Sequence, residues 1–165
     1  MTGNQPSELD GLKAKHMTPH TMEASAPPLF LAPMAGVTDL AYRILARECG
    51  ADLTVTEFTA ASGLTRKNTY SWLKVESDPR ESPFIPQIFG GITEEMVQTV
   101  EMLQDRADVI DINFGCPAPK VCRNDAGAAL LRDPDRVVSM VRACIDATEV
   151  PITVKMRLGT GSGPN

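Results

Sequence analysis

From Pro28 onward the apolar positions fall into short dense runs, separated by stretches where they recur every three or four residues. The runs are Leu29–Ala32, Leu53–Phe58, Phe84–Phe89, Val109–Phe114 and Ile152–Met156. Nearly continuous apolar and β-branched runs of this length predict strands covered on both faces, as in a parallel sheet. The intervening stretches predict helices. One runs from Asp39 to Glu48, with Thr38 or Asp39 as its cap and Gly50 as its stop. A weaker pattern covers Leu64–Lys74. A third helix starts at Thr93, with Glu94 and Glu95 in the first turn, where negative charge favours the helix dipole. A fourth starts at Asp133 with Pro134 as its first residue, and Val137, Met140, Val141, Cys144 and Ile145 fall on one face.

Five strands alternating with about four helices predict βαβ units and an α/β chain. A doubly wound sheet would carry a G-x-G-x-x-G turn after its first strand. The sequence there is Ala32-Pro33-Met34-Ala35-Gly36-Val37, which is not that turn. The pattern instead predicts a partial TIM (β/α)8 barrel. A closed one takes about 200 to 250 residues or more, and the chain has 165, so the barrel is expected to be truncated. Residues 1–27 are polar and lack apolar periodicity, the mark of a disordered leader. Residues 28–159 form the first part of the barrel, and residues 160–165 a Gly-rich tail.

Composition narrows the picture. The chain is 42% hydrophobic and 22% charged, ordinary for a globular protein, and no apolar run reaches a membrane-spanning length of about 18 residues. Its net charge of -5 is not the basic footprint usual for a nucleic-acid binder. Cys49, Cys116, Cys122 and Cys144 form no C-x-x-C pair, which fits a reducing cytoplasm. A zinc site from Cys116, Cys122, His16 and His20 matches no standard spacing, so no metal is expected. Cys49 and Cys144 read as small apolar core residues on helix faces.

In a β/α barrel the chemistry sits at the carboxyl ends of the strands. Those ends carry Pro33-Met34-Ala35-Gly36, then Glu57, Gln87, Asn113 with Cys116, and Lys155 with Arg157. A barrel built only for stability needs no amide, thiol and ammonium at one mouth. Glu57, Thr59 and Asn68 are candidate rim contacts without an assigned role.

Three blocks of the sequence resemble the tRNA-dihydrouridine synthase family. They are Leu31-Ala32-Pro33-Met34-Ala35-Gly36-Val37-Thr38-Asp39, then Asp111-Ile112-Asn113-Phe114-Gly115-Cys116-Pro117-Ala118-Pro119-Lys120-Val121 followed by Gly127-Ala128-Ala129-Leu130-Leu131, and Pro151 to Gly159. Their order and spacing also agree, over about residues 28–159. The resemblance implies an FMN-binding barrel that reduces uridine in tRNA to 5,6-dihydrouridine, with NADPH as reductant. It places the backbone of Pro33, Met34 and Ala35 against the flavin, with the Gln87 amide and the Lys155 ammonium at its edge. It implies Cys116 as the general acid for C5 of the uracil, while hydride from the flavin reaches C6. An ordinary thiol, with a pKa of about 8.5, holds its proton at neutral pH. Asn113 and Arg157 are implied to meet the substrate.

Much of the family's tRNA binding belongs to a basic carboxyl-terminal domain, whose absence would account for the acidic balance here. The later strands and the family's flavin phosphate loops would also be missing, and an open half-barrel leaves its first and fifth strands as unpaired edges, so the isolated chain is expected to bind FMN weakly or not at all. Two other readings stand beside this one: another FMN barrel of the dihydroorotate dehydrogenase type, and an inactive fragment acting only as an interaction module.

Overall fold

The computed structural model describes residues 27–159. The expected leader up to residue 26, with His16 and His20, and the expected tail from residue 160 lie outside the described residues. In chain order the elements are β1 (Phe30–Leu31), α1 (Leu40–Glu48), β2 (Leu53–Thr54), β3 (Thr59–Ala60), α2 (Ala61–Thr65) and α3 (Thr69–Lys74). There follow β4 (Gln87–Phe89), α4 (Thr93–Leu103), β5 (Ile110–Phe114), α5 (Pro119–Cys122), a 3-10 turn (Gly127–Arg132), α6 (Pro134–Asp146) and β6 (Ile152–Met156). Every strand pairing is parallel and joins sequence neighbours, β1 with β2 and then β3-β4-β5-β6. Strands laid down in sequence order, with helices between them, form an open arc of a (β/α) barrel.

Apart from β6, the strands are shorter than the apolar runs, for local reasons. The run at 53–58 holds only β2, and β3 starts just beyond it at Thr59, because the chain between them bonds outside the ladder. The Thr56 N–H donates to the Ile85 carbonyl at 3.1 Å, and the Thr56 hydroxyl accepts the Gln87 N–H at 3.0 Å. β4 begins only at Gln87, after Pro86, which has no N–H to give a ladder. The expected helix at 64–74 is two, α2 and α3. Lys67 takes a left-handed φ of 55°, and the Asn68 side chain caps α3 by accepting the Ser71 N–H.

The core lies between the strands and the helices of the outer layer. Ile88, Ile110, Ile112 and Phe114 from the sheet bury against Leu64, Met96, Val100, Leu103, Met140 and Cys144. Each large apolar side chain buried in this way contributes about 1.5–3 kcal/mol. Two expectations fail here. Cys49 is exposed, because it follows Tyr42 and Leu45 on a face of α1 that is itself exposed. β6 is not covered on both faces: its residues from Thr153 to Met156 are exposed, since β6 is the outermost strand of the described sheet.

Candidate functional site

Alternation along β5 sorts its five residues. Ile110, Ile112 and Phe114 enter the core, so Asp111 and Asn113 project from the other face of the sheet. Parallel register then aligns polar side chains across three strands. Gln87, Asp111 and Thr153 are register partners in one row, and Asn113 pairs with Lys155 in the next row toward the carboxyl ends.

The two rows are joined by hydrogen bonds. Thr153 Oγ1 donates to Asp111 Oδ1 at 2.7 Å. Gln87 Nε2 donates to Asp111 Oδ2 at 2.5 Å, and Asn113 Nδ2 donates to Gln87 Oε1 at 3.0 Å. Asn113 Oδ1 accepts the backbone N–H groups of Gly115 at 3.1 Å and Cys116 at 2.9 Å. Gln87, Asp111 and Asn113 are all buried. Among the described residues no buried side-chain nitrogen or oxygen lacks a partner. A buried polar group left unpaired costs about 1–3 kcal/mol, so a fully paired row is rigid as well as stable.

Cys116, half-buried, follows β5 in the loop that this chain of bonds holds. Its carbonyl accepts the Ala128 N–H at 3.0 Å and the Cys122 thiol at 3.6 Å. Gly127 permits the close approach: it has φ +59°, and a Cβ there would lie 2.7 Å from the Cys116 carbonyl oxygen. Arg157 Nε donates to the Gly115 carbonyl at 2.6 Å, so the segment after the last strand also grips this loop. Lys155 is exposed on β6.

The Pro33-Met34-Ala35 segment belongs to a second group. It forms a turn closed by N–H bonds from Val37 and Thr38 to the Met34 carbonyl at 3.1 and 3.0 Å. Met34 and Ala35 are exposed and Pro33 is half-buried. Glu57, between β2 and β3, accepts the Gly36 N–H at 2.5 Å and pairs with Lys74 at 3.4 Å. No hydrogen bond joins Pro33, Met34 or Ala35 to the Cys116 group among the described residues. The connection runs through Thr56, next to Glu57, whose hydroxyl holds the Gln87 N–H.

The structure thus brings Gln87, Asn113 and Cys116 into one bonded cluster, with Lys155 and Arg157 beside it at β6. It also revises one placement. Gln87 opens β4 instead of closing it, and its side chain is fully buried with both ends of the amide engaged. Asp111, Thr153 and Lys74 were not singled out by sequence reasoning. For Asp111 a signal exists: a carboxylate two residues before Asn113, in an otherwise apolar run, shares its strand face.

Among the described residues no group of three His, Cys, Asp or Glu side chains could hold a metal ion, and no helix is long and apolar enough to cross a membrane.

A parallel β/α arc with paired amides and a lysine in register on one sheet face, and a cysteine in the loop bonded to them, defines a (β/α)-barrel chain with a polar site. Comparison with known proteins makes the class specific. The family profile described as Dihydrouridine synthase (Dus) matches residues 30–163. The chain is 42% identical over 130 residues to a protein of Rhizobium leguminosarum bv. phaseoli named probable tRNA-dihydrouridine synthase, covering 78% of this chain and 41% of that protein. It is 42% identical over 135 residues to tRNA-dihydrouridine synthase B of Pseudomonas aeruginosa, covering 79% of this chain and 40% of the relative. It is 38% identical over 149 residues to the protein of that name from Pseudomonas syringae pv. tomato, covering 90% and 43%. The chain belongs to the dihydrouridine synthase family. It spans about two fifths of the length of the curated relatives it matches.

Proposed function

We propose that this chain carries the flavin-facing and acid-bearing part of an enzyme that reduces uridine in tRNA to 5,6-dihydrouridine, using FMN and NADPH. The observation that supports it most is the tether from Asn113 Oδ1 to the Cys116 N–H, which fixes the backbone of the cysteine loop to a paired polar row. Family membership and relatives named as tRNA-dihydrouridine synthases support the reaction class.

The donor set suits a flavin ring. Met34 and Ala35 are exposed, so a flat ring could lie against their turn. The exposed Lys155 ammonium suits the ring edge that becomes negative on reduction. Gln87 can reach that space only with the second N–H and second lone pair of its amide, since the first of each is committed. FMN, when bound, would supply the hydride to uracil C6. Cys116 would give its proton to C5, completing saturation of the bond. Asn113 keeps one amide N–H for a uracil carbonyl. Arg157 spends Nε on the Gly115 carbonyl, and its terminal nitrogens would serve a base or phosphate. The four free thiols fit a reducing cytoplasm.

The test is a chimera in which residues 28–159 replace the matching segment of the Pseudomonas aeruginosa relative, expressed in cells lacking dihydrouridine synthases. Flavin absorbance reports folding, and mass spectrometry of tRNA reports product. The unmutated chimera should form dihydrouridine. Cys116→Ala should keep NADPH-driven flavin reduction and lose product formation by about 100-fold or more, as expected for removal of a general acid. A flavin-loaded chimera that makes no dihydrouridine overturns the reading, and unchanged turnover in Cys116→Ala removes that residue from its role.

A further inference from the structure

We propose that Asp111 is a positioning residue that sets the direction of a hydrogen-bond chain ending at Cys116, with Thr153 anchoring its far end. The importance given to that end rests on the reading of Cys116 as the acid, but the chain itself does not. An ionised carboxylate only accepts hydrogen bonds, and a backbone N–H only donates. Asp111 therefore obliges Gln87 to present Nε2, found at 2.5 Å. That turns Gln87 Oε1 toward Asn113, which must answer with Nδ2, found at 3.0 Å. Asn113 Oδ1 is then left for the Gly115 and Cys116 N–H groups, found at 3.1 and 2.9 Å. Each link settles the next, and Thr153 Oγ1 holds the far end by donating to Asp111 at 2.7 Å.

Because Gln87, Asp111 and Asn113 are buried, solvent has little access to repair a reversed amide. A flip of either amide sets like atoms against each other at both of its ends. The thiol loop is thereby tied to β6, the strand that also carries Lys155.

The inference is tested by reversing the chain. Asn113→Asp still accepts the two backbone N–H groups but turns an oxygen toward Gln87 Oε1. Asp111→Asn combined with it restores every bond in the opposite sense. The amide introduced at position 111 accepts from Thr153 and donates to Gln87 Oε1, and Gln87 Nε2 donates to the carboxylate introduced at position 113. The measurement is the rate of iodoacetamide modification at Cys116 in the purified chain, read by peptide mass spectrometry, with Cys144 in the same digest as a reporter of unfolding.

Asn113→Asp alone should speed Cys116 modification by about fivefold or more, the lower bound for one unpaired buried group. The double substitution should bring it back to within about twofold of the original chain, since no unpaired group remains. A double variant as fast as the single one overturns the proposal, and so does a single variant with unchanged rate. If Asn113→Asp also unmasks Cys144, Thr153→Val decides. Faster Cys116 with silent Cys144 supports the proposal, and unchanged Cys116 overturns it. No tRNA or flavin enters this readout, so it can succeed where the Cys116→Ala chimera fails, and the reverse.

Discussion

The Glu57 carboxylate accepts the Gly36 N–H at 2.5 Å and pairs with the Lys74 ammonium at 3.4 Å, pinning the turn after the first strand to the end of the second. Gly36 itself needs its left-handed φ of 72° to make that turn. Glu57→Ala strands the part-buried N–H and should lower unfolding stability in urea by about 1–3 kcal/mol. Glu57→Gln keeps an acceptor and should lose less. Equal losses in the two variants would show that the charge toward Lys74, not the loop tether, is what matters.

Arg43 and Glu81 form a buried ion pair at 2.5 Å, with side chains 1% and 0% exposed. Arg43 also donates to the carbonyls of Thr38 and Glu76, and Glu81 accepts from Thr54 Oγ1. The pair fastens α1 to the loop before β4. Arg43→Met leaves a buried carboxylate uncompensated, a change that costs about 3–5 kcal/mol. The double variant Arg43→Met with Glu81→Leu should recover much of that loss. Denaturation midpoints of the three chains check it, and an Arg43→Met chain as stable as the original would refute the assignment.

Gly127→Ala should disturb the Cys116 loop without touching Cys116. The left-handed φ of 59° is strained for alanine, and the new Cβ would meet the Cys116 carbonyl oxygen at 2.7 Å and Val121 Cγ1 at 2.8 Å. A residue forced into that region costs about 1–3 kcal/mol. The expected signs are a lower melting temperature and faster alkylation of Cys116. Neither change would mean that the loop does not depend on this close approach.

Burial pushes the Cys144 thiol up from 9.0 to about 11. The folded chain therefore keeps this proton at pH values where the unfolded chain has released it. Stability falls with rising pH wherever the folded state binds more protons. The contribution of Cys144 is thus fully present below pH 9.0 and is lost as pH rises toward 11. Melting temperatures measured across that window should fall more steeply for the original chain than for Cys144→Ala. Parallel slopes would place the titration elsewhere.

Much of the fold was legible in the chain itself. The run Ile152–Met156 matches β6 residue for residue, Pro134 opens α6, and Asp39 caps α1, because these depend on local apolar spacing and capping chemistry. α5 and the 3-10 turn at Gly127–Arg132 were not legible, being too short to show a period.

The sequence by itself determined that parallel strands alternate with helices, and that Cys116, Asn113 and Lys155 stand near strand ends. Only the tertiary structure decided that Gln87 lies buried between Asp111 and Asn113, that Thr153 completes the row, and that Cys49 faces solvent. The reason is register. Local pattern tells which face of its own strand a residue occupies, whereas the pairing of β4, β5 and β6 selects which side chains on that face come within bonding distance.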